Sequence, residues 1–143
     1  MSKVYVASSW RNGFQPEVVA RLRGGGHEVY DFRNPPHEEG FSWSEIDSNW
    51  LNWTADEYRK ALYKNPRCAQ GYMSDLRAME WADICVLVLP SGRSAHLEGG
   101  YMKGRGKRLI ILTQDGEEPE LMALLADDIC IDMEEVFRSI GTS

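Results

Sequence analysis

Glu98 is the residue of this 143-residue chain that is best suited to covalent chemistry. It follows the segment PSGRSAHL (90–97), which leads from an apolar run into a helix predicted over 94–104. We expect Glu98 in the first turn of that helix, where the helix dipole favours the ionised carboxylate. An ionised carboxylate in a cleft suits a nucleophile or a stabiliser of an oxocarbenium ion. The alternative is a glutamate that only complements the helix N-terminus.

Three other side chains could assist such a carboxylate. Asp75, in the middle of the helical segment SDLRAMEWAD, is either a second working carboxylate or part of a solvated helix face. Tyr5 lies in the first predicted strand, where an aromatic ring usually packs in the core while a buried hydroxyl needs a partner. We interpret His96 as a hydrogen-bonding support rather than a catalyst.

Two loops rich in serine, glycine and arginine could bind a phosphate or a sugar. Their hydroxyls, backbone N–H groups and guanidinium forks are the donors that such ligands require. The candidate binding residues are Ser8, Ser9, Trp10 and Arg11 in the first loop, and Ser91, Gly92, Arg93, Ser94 and His96 in the second.

Alternating strands and helices must position these loops. We predict strands over 3–8, 27–32, 83–90, 107–113 and 128–131, with helices between them and brief helices over 119–125 and 133–140. This alternation predicts an α/β fold over 1–143, a single-domain, doubly wound, five-stranded parallel sheet. With the strand order 2-1-3-4-5, the two loops face each other across the switch point, where ligands bind in such sheets.

The segment 33–65 interrupts this pattern. It contains two prolines and several aromatic residues, among them Trp43, Trp50 and Trp53. A long insert in a small domain is typically a lid, a binding loop or a partner contact. Its aromatic side chains could stack on a ligand, or they could serve packing and a dimer contact.

Composition excludes several classes of function. The net charge of −6 argues against a protein that binds a nucleic-acid polymer. The chain has no P-loop, no GxSxG motif and no zinc-ligand spacing, so we expect no metal and no cofactor. Three cysteines without a CxxC pair predict reduced thiols and a cytoplasmic protein. There is no signal-peptide pattern and no apolar run long enough to span a membrane.

Four segments in order resemble the nucleoside 2-deoxyribosyltransferase family, including its 2′-deoxynucleoside 5′-phosphate N-hydrolase branch. They are KVYVASSWRN, SDLRAMEWADICVLVLP, GRSAHLEGGYMKGRGK and PELMALL, and together they cover most of the chain. The resemblance implies a flavodoxin-like fold, a role in nucleotide salvage, and a homodimer or higher homo-oligomer whose active sites borrow residues from the neighbouring subunit. The borrowed residues would be Glu120 and Met122.

The same resemblance implies roles for three catalytic residues. Glu98 would attack the anomeric carbon and form a covalent deoxyribosyl-enzyme, Tyr5 would orient Glu98, and Asp75 would protonate or hold the leaving base. Water would then give hydrolysis, and a second base would give transfer. A nucleotide-sensing module, or an N-glycosidase for ribonucleotides or NAD, is the alternative.

The chain departs from the family pattern in two places, which leaves nucleoside and 5′-monophosphate substrates equally open. The base-contacting aspartate of many transferases is replaced by PSGR (90–93). Ser91 and Arg93, together with the following Ser94, suit a 5′-phosphate. The neighbouring-subunit serine of the phosphate-hydrolysing branch is absent, and Glu120 would repel a phosphate.

Overall fold

A single parallel sheet forms the centre of the fold. The computed structural model describes residues 1–36 and 39–141, and within them five strands pair in the order β2-β1-β3-β4-β5, every pair parallel. This confirms the predicted fold class and strand order. The strands are β1 (Lys3–Ala7), β2 (Glu28–Asp31), β3 (Ile84–Val88), β4 (Arg108–Leu112) and β5 (Asp128–Cys130).

Helices follow the strands much as the sequence predicted. The α-helices are α1 (Gln15–Gly24), α2 (Ala55–Lys64), α3 (Pro66–Trp81), α4 (Arg93–Gly104) and α5 (Met133–Gly141). Several predicted boundaries were wrong by one or two residues. Helix α4 begins at Arg93, one residue before the predicted start, and the predicted helix over 119–125 is a 3-10 helix that begins at Leu121. Two further 3-10 helices, Trp43–Glu45 and Trp50–Asn52, lie within the aromatic insert.

The chain divides into two compact units. The first comprises Met1–Asp31 and Met79–Ser143, and it contains the whole sheet. Strand β3 is buried along its full length, as its unbroken apolar sequence predicted for a strand covered on both faces. On one face, residues such as Val4, Val86 and Ile110 pack with α1 and α5 in one apolar cluster. Helix α4 packs on the other face, against β1, β3 and β4.

The second unit is Phe32–Ala78, and several of its aromatic side chains pack on one another. Trp43 makes edge contacts with Phe41, Trp53 and Tyr58, at centroid distances of 4.8, 5.8 and 6.1 Å. The Arg67 guanidinium lies 5.3 Å from the centre of the Phe41 ring. These contacts support the packing role for Trp43 and Trp53. Whether the insert also acts as a lid or a dimer contact stays a prediction.

Cysteines in the described residues are structural. Cys68, Cys85 and Cys130 are buried, free thiols, and burial raises the pKa of each. Among the residues that the structure describes, no His, Cys, Asp and Glu side chains form a group that could hold a metal ion. In the same residues, no helix is both long and apolar enough to cross a membrane.

Lys107 closes the C-terminal end of α3. Its ammonium group donates hydrogen bonds to the carbonyls of Met79 at 2.8 Å, Glu80 at 2.6 Å and Ala82 at 2.5 Å. The last carbonyls of a helix lack partners within the helix, and a cation there also interacts favourably with the helix dipole. Lys107→Met keeps much of the aliphatic stem and removes these bonds. We expect it to lower the free energy of unfolding by about 2 kcal/mol.

Urea denaturation followed by circular dichroism measures this loss. Lys60→Met is the matched control, because Lys60 is an exposed lysine whose ion pair with Asp56 lies on the surface of α2. That variant should change the unfolding free energy by less than about 0.5 kcal/mol. Equal effects of the two substitutions would contradict the capping role of Lys107.

Candidate active site

Glu98 and Tyr5 meet on the face of the sheet that α4 covers. Tyr5, in the middle of β1, is completely buried, and its hydroxyl donates a hydrogen bond to Oε2 of the half-buried Glu98. A buried tyrosine hydroxyl needs such a partner, and a hydrogen bond to a carboxylate is stronger than one between neutral groups. The structure therefore brings together two of the three residues predicted to be catalytic.

The helix end does not support Glu98 in the way that the sequence predicted. Because α4 begins at Arg93, Glu98 is the sixth helical residue and lies in the second turn, and the first turn contains no acidic residue. The influence of a helix dipole on a charge falls off within the first turn. The predicted first-turn position is thus wrong, and the Tyr5 hydroxyl is a polar group that does interact with the carboxylate.

Cys85 forms part of the buried surroundings of Glu98. It pairs in register with Tyr5 on the adjacent strand β3. Burial raises the pKa of the Cys85 thiol strongly, and the negative charge of Glu98 raises it further. The thiolate is the reactive form of cysteine. Cys85 therefore remains a small neutral group beside Glu98.

Gly99 allows α4 to lie close to the sheet. A Cβ atom at this buried position would be 3.2 Å from Cδ1 of Leu109 on β4, closer than an ordinary van der Waals contact. Gly100 is exposed and has nothing within 4 Å of its Cβ position. Of the two glycines that follow Glu98, only Gly99 is thus required for a close approach, and that approach is made by the sheet.

We expect Gly99→Leu to damage both stability and the Tyr5–Glu98 contact. The added side chain overpacks the interface between α4 and the sheet, which costs about 1–3 kcal/mol, and the helix must move away from β1. Gly100→Ala is the control, and it should stabilise the protein by up to about 1 kcal/mol, because alanine has the higher helix propensity. Thermal unfolding of the two variants measures the difference. A Gly99→Leu protein as stable as wild type would show that the close approach has no consequence.

The two predicted binding loops lie side by side at the switch point. The Ser8 hydroxyl donates to the carbonyl of Val88 at 2.8 Å and accepts from Nδ2 of Asn12 at 3.1 Å. The Asn12 side chain has two further contacts. Its Nδ2 lies 3.2 Å from the carbonyl of Pro90, and the Oδ1 of Asn12 accepts a hydrogen bond from the backbone N–H of Phe14 at 2.9 Å. Ser8 therefore connects the loops, and its predicted contact with substrate stays a prediction.

Asn12 was not among the predicted site residues. It is 97% buried although it lies in a loop. The available signal was its type: an amide side chain both donates and accepts hydrogen bonds, so it can pair buried backbone groups of two loops at once. We overlooked this signal because asparagine is also the ordinary residue of a solvated turn.

The other residues of the first loop reach the surface. Oγ of Ser9 accepts a hydrogen bond from the backbone N–H of Arg11 at 3.1 Å, which fixes the turn between them. Trp10 is 51% exposed, and Arg11 is exposed as well. Their placement at the carboxyl end of β1 agrees with a binding role, which stays a prediction.

The second loop presents donors at the start of α4. Gly92 precedes the helix in an extended conformation, and within the described residues no side chain caps it, so the first amide groups of the helix have no side-chain acceptor there. Arg93 and Ser94 are exposed beside them. Nδ1 of His96 lies 2.9 Å from the Gly92 carbonyl, which can only accept, so the proton is on Nδ1. His96 thus bonds to the loop, and its predicted part in substrate binding stays a prediction.

Asp75 belongs to the second unit, and the residues expected from a neighbouring subunit belong to the first. Asp75 is half-buried in the part of α3 that belongs to the second unit. Glu120 is exposed, and its carboxylate accepts from the backbone N–H of Met122 at 3.1 Å at the start of the 3-10 helix. Leu121 and Leu124 of that helix are 77% and 79% exposed. The roles of Asp75, Glu120 and Met122 remain predictions.

Known structures share this fold. No protein-family model matches the chain, and neither does any curated protein. A 2-deoxyribosyltransferase from Bacillus psychrosaccharolyticus is 22% identical, with a TM-score of 0.65 over 94% of this chain and 90% of that one. The CMP N-glycosidase of Clostridium botulinum is 14% identical, with a TM-score of 0.52 over 96% of this chain and 97% of that one. At these identities the likeness establishes that the chain has the 2-deoxyribosyltransferase fold, which is the fold that the sequence resemblance implied.

Proposed function

We propose that the protein cleaves the N-glycosidic bond of a 2′-deoxynucleoside or of its 5′-monophosphate. The observation that carries this proposal is the hydrogen bond from the buried Tyr5 hydroxyl to Glu98, next to the switch point of the sheet. A fixed, half-buried carboxylate in that position suits attack on an anomeric carbon. A 2-deoxyribosyltransferase and a CMP N-glycosidase, which share the fold, support the same bond type.

The reaction takes two displacements. A carboxylate oxygen of Glu98 attacks C1′ of the sugar, the bond between C1′ and the base nitrogen breaks, and its electron pair leaves with the base. An acid, which the resemblance identifies as Asp75, supplies a proton to that nitrogen. In the second step water or another base attacks C1′, gives a proton to the carboxylate of the acid that acted in the first step, and displaces the Glu98 carboxylate. Water gives the free sugar, and a base gives a new nucleoside.

Tyr5 orients the nucleophile. Its hydroxyl engages one carboxylate oxygen, Oε2, and so fixes the direction in which the other oxygen, Oε1, points. A nucleophile that is already held in an attacking geometry has a lower activation barrier, because the entropy cost of orienting it was met when the protein folded. We expect Tyr5→Phe to reduce kcat about 10- to 100-fold, the range for the loss of a hydrogen bond to a charged group.

The loops bind the 5′ end of the sugar. Arg11 of the first loop and Arg93 and Ser94 of the second are exposed at the carboxyl ends of β1 and β3, beside the uncapped start of α4. Guanidinium groups and helix N-termini both favour a phosphate. Ser9, Trp10, Ser91 and Gly92 would complete the contacts to the sugar. Because Glu120 would repel a phosphate that lay close to it, nucleoside and 5′-monophosphate remain two forms of one proposal.

A substrate panel tests the proposal. The protein is incubated with the four 2′-deoxynucleosides and their 5′-monophosphates, with and without an acceptor base, and the released base is measured by chromatography. Release that requires an acceptor identifies a transferase, and release in water identifies a hydrolase. If no member of the panel yields free base or a new nucleoside, the proposal fails.

The acid role of Asp75 has a chemical test of its own. Asp75→Asn should lower kcat about 100-fold for a base that must be protonated to leave, the usual range for general acid catalysis. The loss should be several times smaller for a substrate whose base leaves without a proton, such as a 7-methylguanine deoxynucleoside. Steady-state rates with both substrates decide this. Equal losses would assign Asp75 to binding or to folding.

A ribonucleotide N-glycosidase is the second candidate, since one structure with this fold acts on CMP. The rates of base release from CMP and from dCMP separate this candidate from the main proposal. Faster release from CMP would indicate that the substrate contains ribose and not deoxyribose. A nucleotide-sensing module is the third reading. It predicts that Glu98→Ala keeps full nucleotide affinity and that the wild-type protein releases no base.

We also propose a homodimer or a higher homo-oligomer. The 3-10 helix Leu121–Leu125 exposes Leu121, Met122 and Leu124 on the first unit, and a large exposed apolar patch typically marks a protein contact. Glu120 and Met122 would then line the site of the neighbouring subunit. Sedimentation equilibrium should give at least twice the 16.3 kDa of one chain. A monomer at micromolar concentration with full activity would contradict it.

A further inference from the structure

We infer that Tyr30 is a positioning residue that acts through Tyr5 on the nucleophile. This inference rests on the proposed function, in which Glu98 is the nucleophile and Tyr5 orients it. Tyr30 lies in the edge strand β2, and neither the sequence patterns nor the resemblance assigned it a role. Its ring stacks on the Tyr5 ring with a centroid distance of 5.3 Å and an interplanar angle of 13°.

The strand register produces this stack. Tyr30 pairs with Tyr5 across β1 and β2, and Tyr5 pairs with Cys85 across β1 and β3. Residues paired in this way point to the same face of a sheet. The Tyr5 ring is therefore flanked by a large aromatic side chain on one side and a small thiol on the other. Tyr30 is the larger neighbour, and it is itself 93% buried.

A stacked neighbour matters because the tyrosine ring plane is not fixed by its own torsions. The torsion χ2 of an aromatic side chain has a broad energy minimum, so packing decides the plane of the ring. Rotation about χ2 leaves the hydroxyl oxygen in place, but the phenolic O–H bond prefers the plane of the ring, so a tilt of the ring turns the direction in which Tyr5 donates to Oε2 of Glu98. Tyr30 supplies the flat surface that limits this tilt, while Cys85 is too small to do so.

Two variants of Tyr30 separate the ring from its hydroxyl. Tyr30→Phe keeps the stack, and we expect kcat to stay within about twofold of wild type. Tyr30→Leu removes the aromatic surface, and kcat should fall about 5- to 20-fold with KM within about twofold, because the lost element is orientation and not substrate binding. Equal losses in the two variants would overturn the inference, since the hydroxyl and not the ring would then matter.

A double-mutant cycle tests whether Tyr30 acts through Tyr5. In the Tyr5→Phe background the hydrogen bond to Glu98 is already absent. Tyr30→Leu should therefore lower kcat by less than about twofold there, which is the non-additivity expected of residues that act in series. If Tyr30→Leu lowers kcat by the same factor in both backgrounds, Tyr30 acts independently of Tyr5 and the inference is wrong.

A measurement that needs no substrate keeps the inference testable if the proposed function fails. In protein labelled with ¹³C on the tyrosine rings, the Tyr5 signals should show slow ring flipping in wild type and in Tyr30→Phe. They should show clearly faster flipping in Tyr30→Leu, or in Tyr30→Met if the leucine variant does not fold. Unchanged flipping in the variant that lacks the aromatic ring would contradict the positioning role. Absence of any base release would refute only the proposed function.

Discussion

Glu98→Gln is expected to reduce base release at least about a thousandfold, because the amide that replaces the carboxylate is a far weaker nucleophile at C1′. The substitution preserves the size and shape of the side chain. The Tyr5 hydroxyl can still donate a hydrogen bond to the amide oxygen, so α4 should keep its position on the sheet. KM should change little, since the lost interaction belongs to the reaction step. Initial rates over a range of substrate concentrations measure both constants.

Glu17→Gln is the matched control for this experiment. Glu17 is an exposed glutamate in the first turn of α1, so the same chemical change occurs in a side chain to which we assign no catalytic role. We expect its activity to stay within about twofold of wild type, because exposed substitutions of this kind are nearly neutral. A Glu98→Gln protein that keeps more than a tenth of the wild-type rate would exclude Glu98 as the nucleophile.

Asn12→Ala should produce the largest loss of stability among the loop variants. Nδ2 lies within hydrogen-bonding distance of Ser8 Oγ and of the carbonyls of Val88 and Pro90, and Oδ1 accepts from the N–H of Phe14. Alanine leaves several of these polar groups without this partner. A buried polar group that loses its partner costs about 1–3 kcal/mol, and we expect about 3 kcal/mol in all. Activity should fall about tenfold or more, because both binding loops lose their common support.

Thermal and urea unfolding measure this effect, with Asn52→Ala as the control. Asn52 is an exposed residue of the second unit, and its side-chain amide bonds to Asn49 at 2.5 Å. Its removal should cost less than about 0.5 kcal/mol. If Asn12→Ala were no more harmful than Asn52→Ala, the connection between the two loops would have no energetic significance.

The fold could be predicted from the sequence because its signals are local and repeated. Strand β3 is an uninterrupted apolar run, and α1 is preceded by a turn and followed by glycines, so the alternation of strand and helix was evident. From this alternation we predicted the order 2-1-3-4-5 and the position of the two loops at the switch point, and the structure has that order. Boundaries were less certain. The start of α4 is one residue earlier than predicted, and counting from Arg93 places Glu98 in the second helical turn.

The site was harder to predict because its contacts join residues far apart in the chain. Tyr5 and Glu98 are 93 residues apart, and no spacing indicates that their side chains meet. The resemblance supplied that pair. The Tyr30 stack depends on the exact register of β1 and β2, which periodicity alone does not determine. Asn12 was missed for a related reason, since its partners at Val88 and Pro90 become neighbours only when β1 and β3 pair.

Direct detection of a sugar bound to Glu98 tests the central claim most sharply. The protein is mixed with a substrate of the panel, or with its 2′-fluoro analogue to slow the second step, then quenched in acid and analysed by intact-protein and peptide mass spectrometry. We predict a mass increase equal to the glycosyl group of the substrate used, including its fluorine or 5′-phosphate where present, on the peptide that contains Glu98 and absent from Glu98→Gln. Steady release of base from the parent substrate with no adduct on that peptide, or with an adduct on another residue, would contradict the account.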